Sequence, residues 1–209
     1  MFTAVAIMLV AANLRPAVVA VAPLVGDIKA ATGWSSAVTG LLTTLPVLVF
    51  GLVAPLAPRC AARFGIERTV FAAMAVLIVA TAVRLMPAPS ALFAGSALAG
   101  AGIGICNVVL PSLIKRDFPH RSGLMTGLYS MTLSGGAAAA AALTIPINDA
   151  LGGDWRLALA SWGLFAVLAL VIWIPQLRRV HRVQVAARHR RCGAIRSRGP
   201  SRCSWPRSR

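Results

Sequence analysis

Long charge-poor runs alternate with short charged connections along this chain. The runs cover residues 1–26, 35–58, 69–86, 87–114, 122–148 and 157–177. Each approaches or exceeds the ~20 residues that a helix needs to cross the hydrocarbon of a bilayer. They predict an all-α integral membrane protein with six transmembrane helices, over about residues 3–24, 35–57, 69–86, 90–113, 122–146 and 156–176, in one domain of residues 1–179. The third run is the shortest, and Arg84 near its end is placed to snorkel toward the headgroups.

The charged connections give an orientation. Arg59, Arg63 and Arg68 lie between the second and third runs, and Lys115, Arg116 and Arg121 between the fourth and fifth. The other connections hold Lys29 and Arg156 with Asp27, Asp149 and Asp154. Excess Lys and Arg mark the cytoplasmic side. Both termini are therefore expected in the cytoplasm, in a multi-pass protein of the inner (plasma) membrane. Trp34, Trp155 and Trp173 fall at predicted helix ends, as an aromatic belt would place them.

Composition supports the bilayer: 58% of the 209 residues are hydrophobic and 12% charged, with mean hydropathy +0.78, where a soluble domain is about a quarter charged. The net charge of +16 has to be located before it is used. Eleven of the 21 basic residues follow residue 177 with no acidic residue among them, so the preceding chain carries a net +5. From about residue 180 the chain turns to Arg, Ser, Pro, Gly, Cys and His, and Lys, Asp and Glu vanish together. Residues 180–209 read as a disordered tail, and as a GC-rich gene translated out of frame. Such a tail attracts acidic lipid or nucleic acid, which makes a membrane-anchored basic module the alternative reading. With Trp205 its only aromatic residue and no amphipathic period, specific nucleic-acid recognition is not expected. The four cysteines, Cys60, Cys106, Cys192 and Cys203, form no CxxC pair, and neither a disulfide framework nor a metal or cofactor site is expected. The first run is too long for a cleavable signal peptide and lacks a basic start.

Inside the first run stands Asn13-Leu14-Arg15-Pro16. A guanidinium at helix depth costs about 2.5–3.5 kcal/mol on insertion scales, and such residues usually face a bundle interior or a watery cavity. Pro16 has no N–H, so the Ala12 carbonyl loses its helical partner and the helix is free to bend. Counted over residues 3–24, Arg15 lies ~3 Å from the midplane, where carriers build sites on broken helices. Asn13 and Arg15 face different ways around a helix. Asn107 and Tyr129 lie in the cytoplasmic halves of the fourth and fifth helices, placed either to line a cavity or to bond a neighbouring helix. Thr43 and Thr44 are expected to bond back to their own helix. No carboxylate lies deep in any run, and no Ser-His-Asp or Cys-His set is present, so no enzyme is expected. An anionic or strongly polar solute is the natural fit for Arg15.

The fourth run reads Gly95-Ser96-Ala97-Leu98-Ala99-Gly100-Ala101-Gly102-Ile103-Gly104, and the fifth carries Gly135-Gly136 before six alanines. Small faces let membrane helices approach closely. Without a preceding strand, Gly100, Gly102 and Gly104 are not a nucleotide loop. Pro23-Leu24 has a faint echo in Pro111-Ser112-Leu113 near the opposite face, as a 3+3 inverted repeat would give.

Several stretches, in order, resemble the cyanate-permease and nitroimidazole-transporter family of the major facilitator superfamily. They are Asn13-Leu14-Arg15-Pro16, Gly40-Leu41-Leu42-Thr43-Thr44-Leu45-Pro46-Val47, Ala54-Pro55-Leu56-Ala57, Asn107-Val108-Val109-Leu110-Pro111 and Ile114-Lys115-Arg116-Asp117-Phe118-Pro119 running on to Gly123-Leu124-Met125-Thr126-Gly127-Leu128-Tyr129. The resemblance implies six helices forming one half of a major-facilitator bundle, the amino-terminal half. It implies transport of a small polar or anionic solute, cyanate-like or nitroimidazole-like, by alternating access, with the second six-helix half as the missing partner. Arg15, Asn13, Asn107 and Tyr129 are then the candidate substrate-binding residues. Arg63, Gly65 and Arg68 resemble the second part of the superfamily's gating loop between helices 2 and 3. Ala62 stands where that loop has Asp, and Met131-Thr132-Leu133-Ser134-Gly135-Gly136 lacks the proline of the antiporter motif.

Overall fold

The computed structural model describes residues 2–86 and 88–196. The chain divides into two units, Met1–Ile174 and Pro175–Arg209. The described residues form α1 (Phe2–Leu14), α2 (Pro16–Val19), α3 (Val25–Thr32), α4 (Ser36–Val53), α5 (Leu56–Phe64), α6 (Ile66–Arg84), α7 (Pro89–Asp117), a 3-10 turn (Pro119–Arg121), α8 (Ser122–Ala150) and α9 (Trp155–Arg196). Five segments are long and apolar enough to cross a membrane: Ser36–Val53, Ile66–Arg84, Pro89–Asp117, Pro119–Ala150 and Trp155–Leu177. A shorter apolar segment, Thr3–Val19, makes the sixth.

The first predicted helix loses a hydrogen bond at Pro16 but keeps a helical backbone there, and it departs from α-helix only after Val19. Arg15 joins α1 to α2 with φ −77° and ψ −41°. Beyond Val19 the backbone tightens into three-residue turns: the Val21 amide bonds the Val18 carbonyl at 3.3 Å and the Ala22 amide the Val19 carbonyl at 3.2 Å. The Ala17 carbonyl is thereby left without the Val21 amide that an α-helix would give it. A short α3 follows and stops at Gly33, whose φ of 69° suits glycine and whose amide bonds the Lys29 carbonyl at 2.9 Å.

The second segment ends at Val53 rather than residue 57. The basic connection after it contains an unpredicted helix, α5, which buries Ala57 and leaves Arg59 and Arg63 exposed. Gly65, with φ 92°, joins α5 to α6.

Within the first unit α7 is the most covered of the long helices and α8 the least. α7 packs mainly on α6 and α4, while α8 packs on α1 and α2. The small faces expected on these helices make the contacts. A Cβ at Gly102 would stand 2.8 Å from the Ala73 carbonyl oxygen of α6, and one at Gly100 would overlap the Pro46 backbone of α4. One at Gly136 would overlap the Ala12 carbonyl oxygen, the acceptor that Pro16 frees. Buried side chains form a large cluster of Val10, Leu14, Met74, Leu77, Leu110 and neighbours, and a smaller one around Val21, Leu24, Leu92 and Leu159 toward the end away from the basic loops.

Two expectations need correction. Arg84 does not snorkel: it is 3% exposed, because Gly95 of α7 leaves room for its stem against α6. Nor do the tryptophans form a simple belt. Trp173 is fully buried, with its Nε1 donating to the Glu67 carbonyl at 3.1 Å, and Trp155 is buried beneath Arg156, whose guanidinium carbon lies 4.8 Å from the ring centre. The Trp173 N–H and the Trp155 ring find partners within the protein.

In the second unit the backbone is helical as far as Arg196, across residues read from sequence as the start of a disordered tail. No proline stands between Pro175 and Pro200, and Ala and Arg favour helix. Residues 197–209, with Cys203 and Trp205, lie outside the described residues.

Candidate functional site

The polar residues around Arg15 fall into two groups. Arg15 points out of the domain and is exposed, whereas Asn13 is 2% exposed on the inner side, so the two do face different ways. Tyr129 of α8 is buried and donates its hydroxyl hydrogen to Asn107 Oδ1 of α7 at 3.0 Å. Asn107 is half-buried, and the Arg15 guanidinium stands close enough to act electrostatically on the Tyr129 hydroxyl. Asn107 and Tyr129 are thus joined across α7 and α8, with the exposed Arg15 on the first segment. Of the two roles open to them from sequence, Asn107 and Tyr129 take the helix-to-helix bond, and neither lines the cleft described next.

Beside Pro16 opens a cleft of about 380 Å³ lined by Ala12, Pro16, Thr132, Gly136, Trp162 and Phe165, among others. Its wall is apolar, with few polar groups to orient a ligand, a common make-up for a small-molecule site. Thr132 bonds the Leu128 carbonyl at 2.8 Å, so its hydroxyl hydrogen is in use. Thr43 and Thr44 likewise bond back to Gly40 and Leu41, at 2.8 and 3.2 Å, as expected.

Asn13 belongs to the other group. It shares a cavity of about 10 Å³ with Ala17, Thr81, Arg84 and Trp162. Arg84 Nη1 donates at 2.7 Å to the Ala17 carbonyl, the acceptor freed by the turns after Val19. A buried guanidinium from α6 thus completes the broken first segment. Sequence reasoning passed over this, because an Arg just before Pro87-Ala88-Pro89 looks like a headgroup contact.

At the basic end, Arg63 and Arg68 are exposed, and Arg63 lies over the Phe64 ring at 5.5 Å. Gly65 accepts from the Thr69 amide at 3.1 Å and from the Thr69 hydroxyl at 2.8 Å, which starts α6. An ion pair at this end is made by Glu67, whose buried carboxylate accepts from Arg116 of α7. Arg116 also pairs with Asp117 at 2.8 Å. Glu67 and Arg116 tie two helix ends across the basic face, and neither was singled out from sequence. The usable signal was an acid two residues after a glycine hinge, facing a second basic loop. Among the described residues no cluster of three or more His, Cys, Asp or Glu side chains could hold a metal ion.

Comparison with known proteins agrees with this architecture. The family model for the Major Facilitator Superfamily matches residues 1–203. The chain is similar to the 2-nitroimidazole transporter of Escherichia coli (strain K12), 46% identical over 173 residues, which are 82% of this chain and 44% of that protein. It is similar to the uncharacterized transporter YycB of Bacillus subtilis (strain 168), 42% identical over 82% of this chain and 43% of that one. It is also similar to the cyanate transport protein CynX of Escherichia coli (strain K12), 36% identical over 88% of this chain and 47% of that one. The chain thus spans less than half the length of these relatives. A multi-pass helical membrane domain, small-residue faces that set its packing and a family match over nearly its whole length lead to one conclusion: the chain belongs to the Major Facilitator Superfamily.

Proposed function

We propose that this domain is one half of a carrier that moves a small polar or anionic solute by alternating access, and that it acts as a carrier and not as an enzyme. The observation that carries this reading is the exposed guanidinium of Arg15 in the first apolar segment, on a domain that also joins Tyr129 to Asn107. A cation held where the domain leaves itself uncovered suits a solute path between two halves. Two of the relatives are named for solutes of this kind, cyanate and a nitroimidazole.

Arg15 supplies the charge, Asn107 the amide and Tyr129 the hydroxyl oxygen that would meet the solute. Asn13 stands on the inner side of the first segment. At the other end, Arg63, Gly65 and Arg68, with the Glu67–Arg116 pair, form the gate that holds helix ends together on one side of the membrane. The loops holding Arg59, Arg63, Arg68, Lys115, Arg116 and Arg121 support a cytoplasmic placement of that end and of both termini in an inner (plasma) membrane. The change of composition near residue 180 supports a second half encoded in another reading frame.

The test begins with the nucleotide sequence beyond codon 179. The alternative frame should encode six further apolar segments, and the joined chain should take up or expel a cyanate-like or nitroimidazole-like solute in vesicles. Transport no faster than in empty vesicles, for a joined chain present in the membrane, would overturn the proposal.

A further inference from the structure

Arg84 and Asn13 share an enclosed space that the proposed solute path does not use. Both are more than nine-tenths buried, and both line the cavity of about 10 Å³ between α2, α6 and α9. Arg84 spends Nη1 on the Ala17 carbonyl. Its Nε and Nη2, together with Asn13 Nδ2, are buried with no hydrogen-bond partner. All three are donors. The neighbouring polar groups are already engaged as donors elsewhere: Thr81 bonds the Leu77 carbonyl at 3.0 Å and Trp162 Nε1 the Thr144 hydroxyl at 3.2 Å. No carboxylate lines the space.

We infer that this cavity binds a single monatomic anion, a halide such as chloride, held by Arg84 Nε and Nη2 and by Asn13 Nδ2. Size, donor count and charge converge on it. A cavity of this volume admits about one water-sized occupant, which excludes a polyatomic solute and separates this site from the cleft of about 380 Å³. One water offers two lone pairs, too few for three orphan donors, and leaves the guanidinium charge uncompensated in a low-dielectric interior, where an unpaired charge is costly. A halide accepts from all three donors and neutralises the charge. The ion would also secure the broken first segment, since the arginine that holds it is the one that satisfies the Ala17 carbonyl.

The test is thermal unfolding of the full chain, purified in detergent, across a chloride series balanced with gluconate at constant ionic strength. A ligand that binds only the folded state raises the melting temperature with its concentration. Chloride and bromide should each raise it saturably, and gluconate, too large for the cavity, should not. Asn13→Ala should shift the chloride midpoint to about tenfold higher concentration, the worth of one charge-assisted hydrogen bond. Arg84→Gln, where it folds, should abolish the dependence. Superimposed chloride and gluconate series in the unmodified chain would overturn the inference. So would an unchanged midpoint in Asn13→Ala, because the ion would then sit elsewhere.

Discussion

Gly135 and Gly136 are adjacent in α8, yet the structure gives them opposite fates. A Cβ added at Gly135 meets nothing within 4 Å. One at Gly136 would overlap the Ala12 carbonyl oxygen and stand 3.1 Å from the Ala12 carbonyl carbon and 3.3 Å from its Cα. The obstacle is backbone and cannot rotate away, so α8 would have to back off from α1. Both Gly→Ala changes gain about the same helix propensity, roughly 1 kcal/mol, and that gain cancels in the difference between them. What remains is the cost of overpacking, about 1–3 kcal/mol. Gly136→Ala should therefore unfold in detergent several degrees below Gly135→Ala, followed by tryptophan fluorescence on the full chain. Gly135→Leu supplies a further contrast: it should keep the stability of Gly135→Ala while its side chain intrudes on the cleft that Gly135 lines. Equal melting of the two alanine variants would refute the close approach of α8 to the freed Ala12 carbonyl.

Arg116→Ala should destabilise the domain by about 1–3 kcal/mol, because it strands the Glu67 carboxylate, only 6% exposed, without its cation. Glu67→Gln should cost less, and adding it to Arg116→Ala should restore part of the loss; strictly additive effects in unfolding experiments would show that the two side chains do not interact. Cys60, half-buried in α5, should react with an impermeant thiol reagent only from the cytoplasmic side, and buried Cys106 only slowly from either side. Fast labelling of Cys60 in intact, right-side-out cells would reverse the orientation.

The six-segment architecture was legible because hydrophobic length is a coarse signal that the bilayer enforces on every crossing helix. The lost hydrogen bond at Pro16 was legible because a missing N–H is a local property, whereas the departure from α-helix comes later, after Val19. What could not be read was which distant group would answer it. The turns after Val19 free the Ala17 carbonyl, and Arg84, on another helix 67 residues away, satisfies it. Sequence gives Arg84 a depth near a helix end, but not the space beside Gly95 that lets it turn inward. The Glu67–Arg116 pair was hidden for a similar reason, since each residue alone looks like an ordinary loop charge and only the packing of α6 on α7 joins them. The pairing of Tyr129 with Asn107 lay within reach, as both were already marked at similar depth on helices predicted to pack closely.

The central claim, that Arg15 meets the solute, comes down to solute uptake normalised to the amount of membrane-inserted protein, in a chain joined to its second half. Removing an exposed charge at helix depth should not impair insertion, so Arg15→Ala should leave the protein in the membrane and abolish transport. Arg15→Lys should recover little, because an ammonium cannot reproduce the paired hydrogen bonds of a guanidinium to an anionic or polar solute. Normalised uptake near the unmodified level in both variants would contradict the account and leave Arg15 a headgroup contact. Loss of inserted protein in Arg15→Ala would also contradict it, by giving the residue a structural partner in place of a solute.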